Sequence, residues 1–414
     1  MHFFACCHII NGYKTECERG GKMTEDSLVK VDLERLGQNA RVITERYSDY
    51  DYYIGVLKSD GYGHGMGIVN RLYENGINYF AVASLAEAAE LRRYNKSVPV
   101  LLLEPIALDR IELAEQLDCT LPVHCLDYAK SLLSLKRTKP LKIHFQVDSG
   151  FNRLGFKSKT ELKSAFELLQ PSVYTVEGIY QHFATAGIFD PLWDRQVKSF
   201  LEITSLIDLK KIPIVHMGSG VSLLAHPKIP FANGIRMGLV MYGYNIAPSA
   251  LSGGLKDRLR AMRNSYFKRK YNISETYSGV KIDLLPAMTF ETRILQIKDV
   301  KKGETVGYNA LYKAEEDIKI AVLAMGYNNG IGHKNLGRNV LINQKKYPII
   351  GEIGMNMTAI RVDGSVKPDD RAVVLGEGIT LGAFSRSADM GLGESLMSIG
   401  KNNRRIYVDS EKAV

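Results

Sequence analysis

The sequence has little of what marks secreted, metal-binding or membrane proteins. Five cysteines occur among 414 residues, and their odd number and their spacing fit neither a disulfide framework nor a zinc site. We therefore expect no metal and a reducing, cytoplasmic location. No apolar run approaches the roughly 20 residues of a membrane-spanning helix, so we also expect no membrane partner.

The first segment of the chain lacks a secretory signal. Residues 3–7 are mostly apolar, but no basic region precedes them and no sustained apolar core follows them. The segment 23–27 is a more natural beginning. We predict that residues 1–26 form an N-terminal extension outside the fold.

Positive charge is in excess but is concentrated in one place. The formal net charge is +9, and much of the excess lies in the segment 256–270. A basic protein can bind nucleic acid, yet no basic segment is interleaved with aromatic residues in a nucleic-acid-binding motif. We expect a solvated basic insertion within 256–284 and no nucleic-acid partner.

Strand-like and helix-like patterns alternate over the first half of the chain. Strands are predicted at 27–32, 53–57, 79–82, 98–102, 141–147, 176–179, 214–216 and 235–239. Amphipathic helices separate most of them, and this alternation predicts an α/β fold, a (β/α)8 TIM barrel over residues 27–255. After residue 285 the strands are short and bounded by turns, which predicts a mainly antiparallel β domain over 285–414.

Lys58 ends an apolar run and precedes a glycine-rich turn, in the segment 54–65. Barrel enzymes place catalytic groups at the carboxyl ends of their strands. A lysine in a dry pocket has a lowered pKa and can form a Schiff base with an aldehyde cofactor. The glycines let the backbone approach a ligand closely, and Tyr62 can hydrogen-bond a phosphate. The plain alternative is a surface lysine before a loop.

The Lys58 segment resembles the pyridoxal-phosphate lysine motif of the alanine racemase family. Other segments resemble that family in the same order along the chain, from about residue 27 to residue 407. They are 147–156, 178–184, 233–243, 306–309, 326–330 and 351–357.

The resemblance implies a pyridoxal 5'-phosphate enzyme that racemises alanine with two bases, Lys58 and Tyr308. Arg153 would contact the cofactor and the substrate carboxylate. Arg236, backed by His182, would face the ring nitrogen and keep it unprotonated, because a guanidinium stays protonated. The implied cofactor contacts are Lys58, Tyr62, Arg153, His182, Ser219, Arg236, Gly238, Leu239 and Lys401, and the implied substrate contacts are Arg153, Tyr327 and Met355.

The resemblance also implies a head-to-tail homodimer, in which Tyr308 and Met355 would enter the barrel of the other subunit. D-Alanine from such an enzyme would supply cell-wall peptidoglycan.

Four positions depart from the family pattern and leave the substrate open. Gln146 replaces a lysine that becomes carbamylated in many members, and Asn356 replaces an aspartate. With Gly220, the phosphate-binding hydroxyl is either displaced to Ser219 or Ser222 or lost, and Lys401 replaces a phosphate-contacting tyrosine. A serine or broad-specificity racemase is therefore an alternative, and a non-catalytic pyridoxal-phosphate-binding protein is another.

Overall fold

The computed structural model describes residues 26–135, 137, 139–170, 172–187, 191–245, 259, 262, 266 and 282–410. The predicted extension up to residue 25 lies outside the described residues, as does most of the predicted basic insertion. No helix in the described part of the chain is both long enough and apolar enough to cross a membrane.

Eight parallel strands close into a barrel, and each pairs with its two neighbours in parallel register. After β1 (Ser27–Asp32), these strands are β2 (Tyr52–Val56), β3 (Tyr79–Val82), β4 (Val100–Leu102), β5 (Cys119–Val123), β6 (Leu141–Gln146), β7 (Tyr174–Tyr180), β8 (Ile214–Ser219) and β9 (Gly234–Met237). The predicted (β/α)8 barrel is confirmed.

The helices of this half follow the strands around the barrel. They are α1 (Leu33–Arg46), α2 (Val69–Glu74), α3 (Leu85–Tyr94), α4 (Ile111–Gln116), α5 (Leu126–Leu133), α6 (Lys159–Leu169), α7 (Pro191–Ile203) and α8 (Gly220–Ala225). Side chains cap several of them, as where Ser84 accepts a hydrogen bond from the backbone of Glu87 at the start of α3.

Two strand assignments made from the sequence need correction. The segment 27–32 is not a barrel strand, because β1 pairs antiparallel with β10 and parallel with β18 in the sheet of the second domain. Its alternating pattern, with Val29 and Val31 buried, suits a sheet with one solvated face better than a barrel strand. The eighth barrel strand is β5, which the prediction missed; it contains Pro122, a residue that weakens a strand pattern.

The second domain is a mainly antiparallel sheet, as predicted. Its strands are β10 (Met288–Val300), β11 (Thr305–Val306), β12 (Tyr312–Lys313), β13 (Ile318–Leu323), β14 (Asn339–Ile342), β15 (Lys345–Ile350), β16 (Thr358–Val362), β17 (Arg371–Leu375) and β18 (Arg404–Val408). The eight-stranded sheet has the order β13-β16-β15-β14-β17-β10-β1-β18, and β11 and β12 form a separate ribbon. Two helices, α9 (Leu381–Ala388) and α10 (Leu392–Asn402), precede β18.

Helix α10 joins the second domain to the turn that follows β2. Gly63 and Gly400 approach so closely that a Cβ on Gly400 would lie 2.0 Å from the carbonyl oxygen of Gly63. Only glycine allows this contact between backbones. The second domain therefore packs directly, through α10, against the segment that carries Lys58.

Candidate active site

A cavity of about 540 Å3 opens at the carboxyl ends of the barrel strands. Eight of the residues predicted from the sequence line it, namely Lys58, Tyr62, Arg153, His182, Ser219, Arg236, Gly238 and Leu239. Residues far apart in the chain meet here because parallel barrel strands end at the same face.

The turn that carries Lys58 has an unusual backbone. Ser59, Asp60, Gly61 and Tyr62 all have left-handed φ values, between 52° and 59°. Such a run costs energy for residues with a Cβ and persists only where the surroundings hold it. The Gly61 amide donates to the carbonyl of Leu57 over 2.7 Å, which closes the turn.

Two charged residues from other elements hold this turn in place. The carboxylate of Glu87 accepts hydrogen bonds from the backbone amides of Ser59 (2.6 Å) and Ala83 (2.7 Å). Arg405 of β18 forms an ion pair with Asp60 and donates to the carbonyl of Gly63 over 3.2 Å. The strained turn is therefore fixed from both the barrel and the second domain.

Lys58 has a lowered pKa. Burial is the largest cause and the nearby charge of Arg153 is the second, while Glu104 and Glu87 oppose them. A lowered pKa increases the fraction of neutral amine, which is the nucleophilic and basic form.

Arg236 is buried in the cavity wall, 5% exposed. Its Nη1 donates to Nδ1 of His216 (2.8 Å) and to the His216 carbonyl (2.9 Å). Its Nη2 donates to the carbonyl of Gln181 (2.7 Å) and lies 3.3 Å from Nδ1 of His182. Burial lowers the pKa of Arg236 to about 10, so the group stays charged at neutral pH. With both Nη groups engaged, the Nε–H is the donor left for a ligand in the cavity.

His182 is held neutral beside this cation. Burial, and then the charges of Arg236, Arg153 and Lys58, lower the pKa of His182 to about 3. Its ring lies against Phe151, with 5.3 Å between centroids. The cavity wall thus presents a neutral imidazole next to a permanent guanidinium.

Arg153 is exposed at the cavity and lies over the ring of Phe151, 4.5 Å from its centroid. Gln146 lines the same cavity, but its Oε1 accepts a hydrogen bond from the hydroxyl of Tyr180 over 3.1 Å. Among the described contacts Gln146 makes no hydrogen bond to Arg153, so its amide is engaged with Tyr180 instead.

Hydroxyl and glycine residues form the part of the cavity suited to a phosphate. Ser222 Oγ is bonded to the backbone of Ser219, accepting from its amide (2.7 Å) and donating to its carbonyl (2.8 Å). This leaves Ser219 as the serine hydroxyl that lines the cavity. Tyr62 lies beside Gly238, where a Cβ would come within 3.3 Å of the phenolic oxygen. Burial raises the pKa of Tyr62, so its hydroxyl is a hydrogen-bond donor.

Lys401 is placed differently from the other predicted cofactor contacts. It is exposed at the end of α10 and is not among the residues that line the cavity. Helix α10 instead turns Gly393, Leu396 and Gly400 toward Tyr62 and Gly63. Consecutive helical residues are rotated by about 100°, so Lys401 lies to one side of the face that carries Gly400, and its predicted phosphate contact stays a prediction.

Tyr308, Tyr327 and Met355 lie together, but on the second domain. They are exposed by 67%, 42% and 54%, and the Tyr327 amide donates to the carbonyl of Gly354 over 3.0 Å. All the residues that line the cavity come from the barrel half. Within one chain the two predicted bases therefore belong to separate surfaces.

Several cavity residues were not predicted from the sequence. They are Val56, Ala83, Leu103, Glu104, Leu154, Tyr180 and Val221. Ala83 directly follows β3, and Leu103 and Glu104 directly follow β4. The rule that barrel strands end at the site would therefore have found them. Glu104 adds an exposed carboxylate to a cavity otherwise rich in cations.

Comparison with known proteins agrees with this architecture. The model of the family described as alanine racemase, N-terminal domain, matches residues 31–246, and that of the alanine racemase C-terminal domain matches residues 287–407. An alanine racemase of Streptococcus pneumoniae is 30% identical over 335 residues, which are 80% of this chain and 83% of the relative. An enzyme of the same name from another strain is 32% identical over 337 residues, 81% and 84% of the two chains.

Solved structures agree over nearly the whole chain. An alanine racemase from E. faecalis has a TM-score of 0.82 and 25% identity, covering 94% of this chain and 99% of its own. An alanine racemase from Bacillus anthracis with bound L-Ala-P has a TM-score of 0.80 and 27% identity, covering 94% and 97%.

Proposed function

This chain is an enzyme of the alanine racemase family, and we propose that it interconverts L- and D-alanine in the cytoplasm with pyridoxal 5'-phosphate, supplying D-alanine for peptidoglycan. The observation that carries this proposal is the shared cavity in which Lys58, with its lowered pKa, meets the buried cation Arg236.

The residues of the cavity fit pyridoxal 5'-phosphate. Lys58 offers an amine for the aldehyde, and Arg236 offers an Nε–H for the ring nitrogen. Tyr62, Ser219 and the amides at Gly238 and Leu239 would hold the phosphate. When bound, the cofactor would withdraw electrons from the α-carbon of the amino acid and make its proton easier to remove.

The charge of Arg236 favours racemisation over other reactions. A guanidinium with a pKa of about 10 donates a hydrogen bond without giving up its proton at neutral pH. The ring nitrogen would then stay unprotonated, which limits electron withdrawal and disfavours transamination. His182, held neutral at the same wall, adds no competing positive charge.

Racemisation needs an acid–base group on each face of the α-carbon. Lys58 would serve one face. We assign the other to Tyr308 of a second subunit in a homodimer, with Met355 beside it. The exposure of both residues, and their absence from the cavity of their own chain, support this assignment. Arg153, exposed at the cavity, would bind the substrate carboxylate in fork geometry.

The test is to incubate the purified, cofactor-loaded protein with a panel of L-amino acids in heavy water. We expect D-alanine with deuterium at the α-carbon, formed faster than any other D-isomer. Serine is the informative competitor, because an apolar pocket rejects an added hydroxyl by roughly a hundredfold at most. Serine conversion equal to or faster than alanine conversion would favour the broad-specificity alternative. Absence of every D-isomer from protein that binds the cofactor would contradict the proposed function.

A further inference from the structure

A line of hydrogen-bonded side chains runs through the barrel core, from the cavity toward the amino-terminal ends of the strands. Arg236 Nη1 lies 2.8 Å from Nδ1 of His216, and His216 Nε2 lies 2.9 Å from Nδ1 of His144. His144 Nε2 lies 3.2 Å from Oε2 of Glu177. The other carboxylate oxygen, Oε1, pairs with the half-exposed Lys142 over 2.9 Å. The line thus connects the cavity to a charged pair at the far end of the barrel.

The end groups fix the direction of each hydrogen bond in this line. A guanidinium only donates, so Nδ1 of His216 accepts. Burial, and then the charge of Arg236, lower the pKa of His216 well below its usual value, so the ring is neutral and carries one proton, on Nε2. That proton is donated to Nδ1 of His144, which leaves His144 to donate from Nε2 to Glu177.

His144 and Glu177 both have the charge state that these hydrogen-bond directions require. Burial lowers the pKa of His144, which keeps the ring neutral. Burial raises the pKa of Glu177, but the hydrogen bonds from His144, Tyr79 and Lys142 outweigh it and hold the pKa below its usual value. An ionised carboxylate therefore ends a line of neutral, aligned donors.

The line of hydrogen bonds links the buried positive charge of Arg236 to a negative charge. Its hydrogen-bond partners among the described residues are carbonyl oxygens and ring nitrogens, with no carboxylate. A buried cation without a counter-ion is costly. Aligned hydrogen bonds polarise one another in a low-dielectric interior, so the charge of Glu177 is felt at Arg236 through two imidazoles.

We propose that Glu177, His144 and His216 are positioning residues that hold the orientation and charge of Arg236. The proposal rests on the proposed function, since its consequence concerns the ring nitrogen that Arg236 would meet. In Glu177→Gln the new amide can donate to His144 instead of accepting. The reversed line would bring an N–H of His216 against the Arg236 donor, which would displace the guanidinium.

The first test uses the protein without cofactor, so it is independent of the proposed function. Histidine is labelled with 15N, and the His144 and His216 signals are assigned by single substitutions to Gln. At neutral pH we expect both rings to be protonated on Nε2 alone. A proton on Nδ1, or a doubly protonated ring, at either position would overturn the proposal.

The second test measures how the cofactor-loaded enzyme divides between racemisation and transamination. Losing one charge-assisted hydrogen bond is worth about a tenfold change, so we expect Glu177→Gln to raise the share of transamination by about tenfold. The matched control is Lys142→Met, which removes the partner of the other carboxylate oxygen and keeps the line; its ratio should match the wild type. His144→Phe breaks the line with a ring of similar size and should behave like Glu177→Gln.

An unchanged ratio in both Glu177→Gln and His144→Phe would overturn the proposal even if turnover falls, because loss of packing slows a reaction without redirecting it. If the share of transamination rises in Lys142→Met as much as in Glu177→Gln, the proposal is overturned as well, because a general disturbance of the barrel end would then be the cause. If the wild type neither loads the cofactor nor racemises, the proposed function fails, while the tautomer result stands by itself.

Discussion

The two groups of predicted catalytic residues are held by the chain in opposite ways. Around Lys58 the backbone is strained, partly buried and tied by Glu87 and Arg405. Around Tyr308 the chain is on the surface, with the tyrosine side chain 67% exposed and Met355 beside it 54% exposed. The barrel group has its complete support within one chain, whereas the β-domain group presents apolar and aromatic side chains to solvent.

This difference indicates which group needs a partner to work. Exposed large apolar side chains that cluster on one surface commonly mark an interaction site. The cavity, for its part, is lined by neither Tyr308 nor Met355 of the same chain. A second subunit that brings Tyr308 to the cavity would both cover the exposed apolar surface and supply the second base.

The largest effect is expected at Lys58. Lys58→Ala removes both the cofactor attachment and one base, so activity should fall by about a thousandfold or more. The measurements are D-alanine formation and the absorbance of the covalently held cofactor. Lys163→Ala, on the exposed side of α6, is the control and should behave like the wild type. Normal racemisation by Lys58→Ala would remove this residue from the mechanism.

The next effect tests whether the two groups belong to different subunits. Lys58→Ala and Tyr308→Phe should each be nearly inactive alone. After subunit exchange, half of the dimers would be hybrids with one intact site, so roughly a quarter of wild-type activity should return in a twofold-symmetric dimer. Hybrid formation is checked with two affinity tags. Confirmed hybrids without recovered activity would show that each site is built within one chain.

A smaller effect is expected where the second domain holds the Lys58 turn. Arg405→Met removes the ion pair with Asp60, and the partly exposed pair is worth about 1 kcal/mol. We expect faster hydrogen exchange at the amides of Gly61 and Gly63 and a several-fold loss of activity. The control Arg93→Met breaks the exposed ion pair with Glu90 on α3. It should change neither the hydrogen exchange of these amides nor the activity. Equal exchange in both variants would mean that the barrel alone holds the turn.

The last effect is on stability instead of activity, and it depends on pH. His64 is fully buried and stacks on Tyr242, and burial lowers its pKa to about 4 from 6.5. A lowered histidine pKa means that the unfolded state binds the proton first, so stability is complete above pH 6.5 and is lost as pH falls toward 4. The loss is at most about 3 kcal/mol. His64→Phe should flatten the decline of the unfolding free energy across this window.

The control for the pH prediction is His333→Phe, because His333 is largely exposed. Its unfolding free energy should decline with falling pH as steeply as that of the wild type. A His64→Phe protein with an unchanged slope would show that other buried histidines dominate the acid response.

Local sequence signals predicted much of the fold, and the resemblance to the family supplied most of the predicted residues of the barrel site. Lys58 stands at the end of an apolar run, and Arg153, His182 and Arg236 follow strands or occupy them in recognisable segments. These residues line one cavity because parallel strands bring their carboxyl ends to one face. The prediction was wrong for β1 and missed β5, because the outcome there depends on which distant strand pairs with a segment. The phosphate contact predicted for Lys401 stays a prediction.

The sequence by itself determined the strand–helix alternation, the reactive lysine with its glycine-rich turn, and the order of the segments that identify the family. Each is written in short stretches of chain, where local pattern and residue chemistry suffice. Only the tertiary structure decided that β1 joins the second sheet, that Tyr308 stands exposed away from Lys58, and that Glu177 reaches Arg236 through two histidines. These features depend on contacts between residues tens to hundreds of positions apart, and packing of the whole chain selects among such contacts.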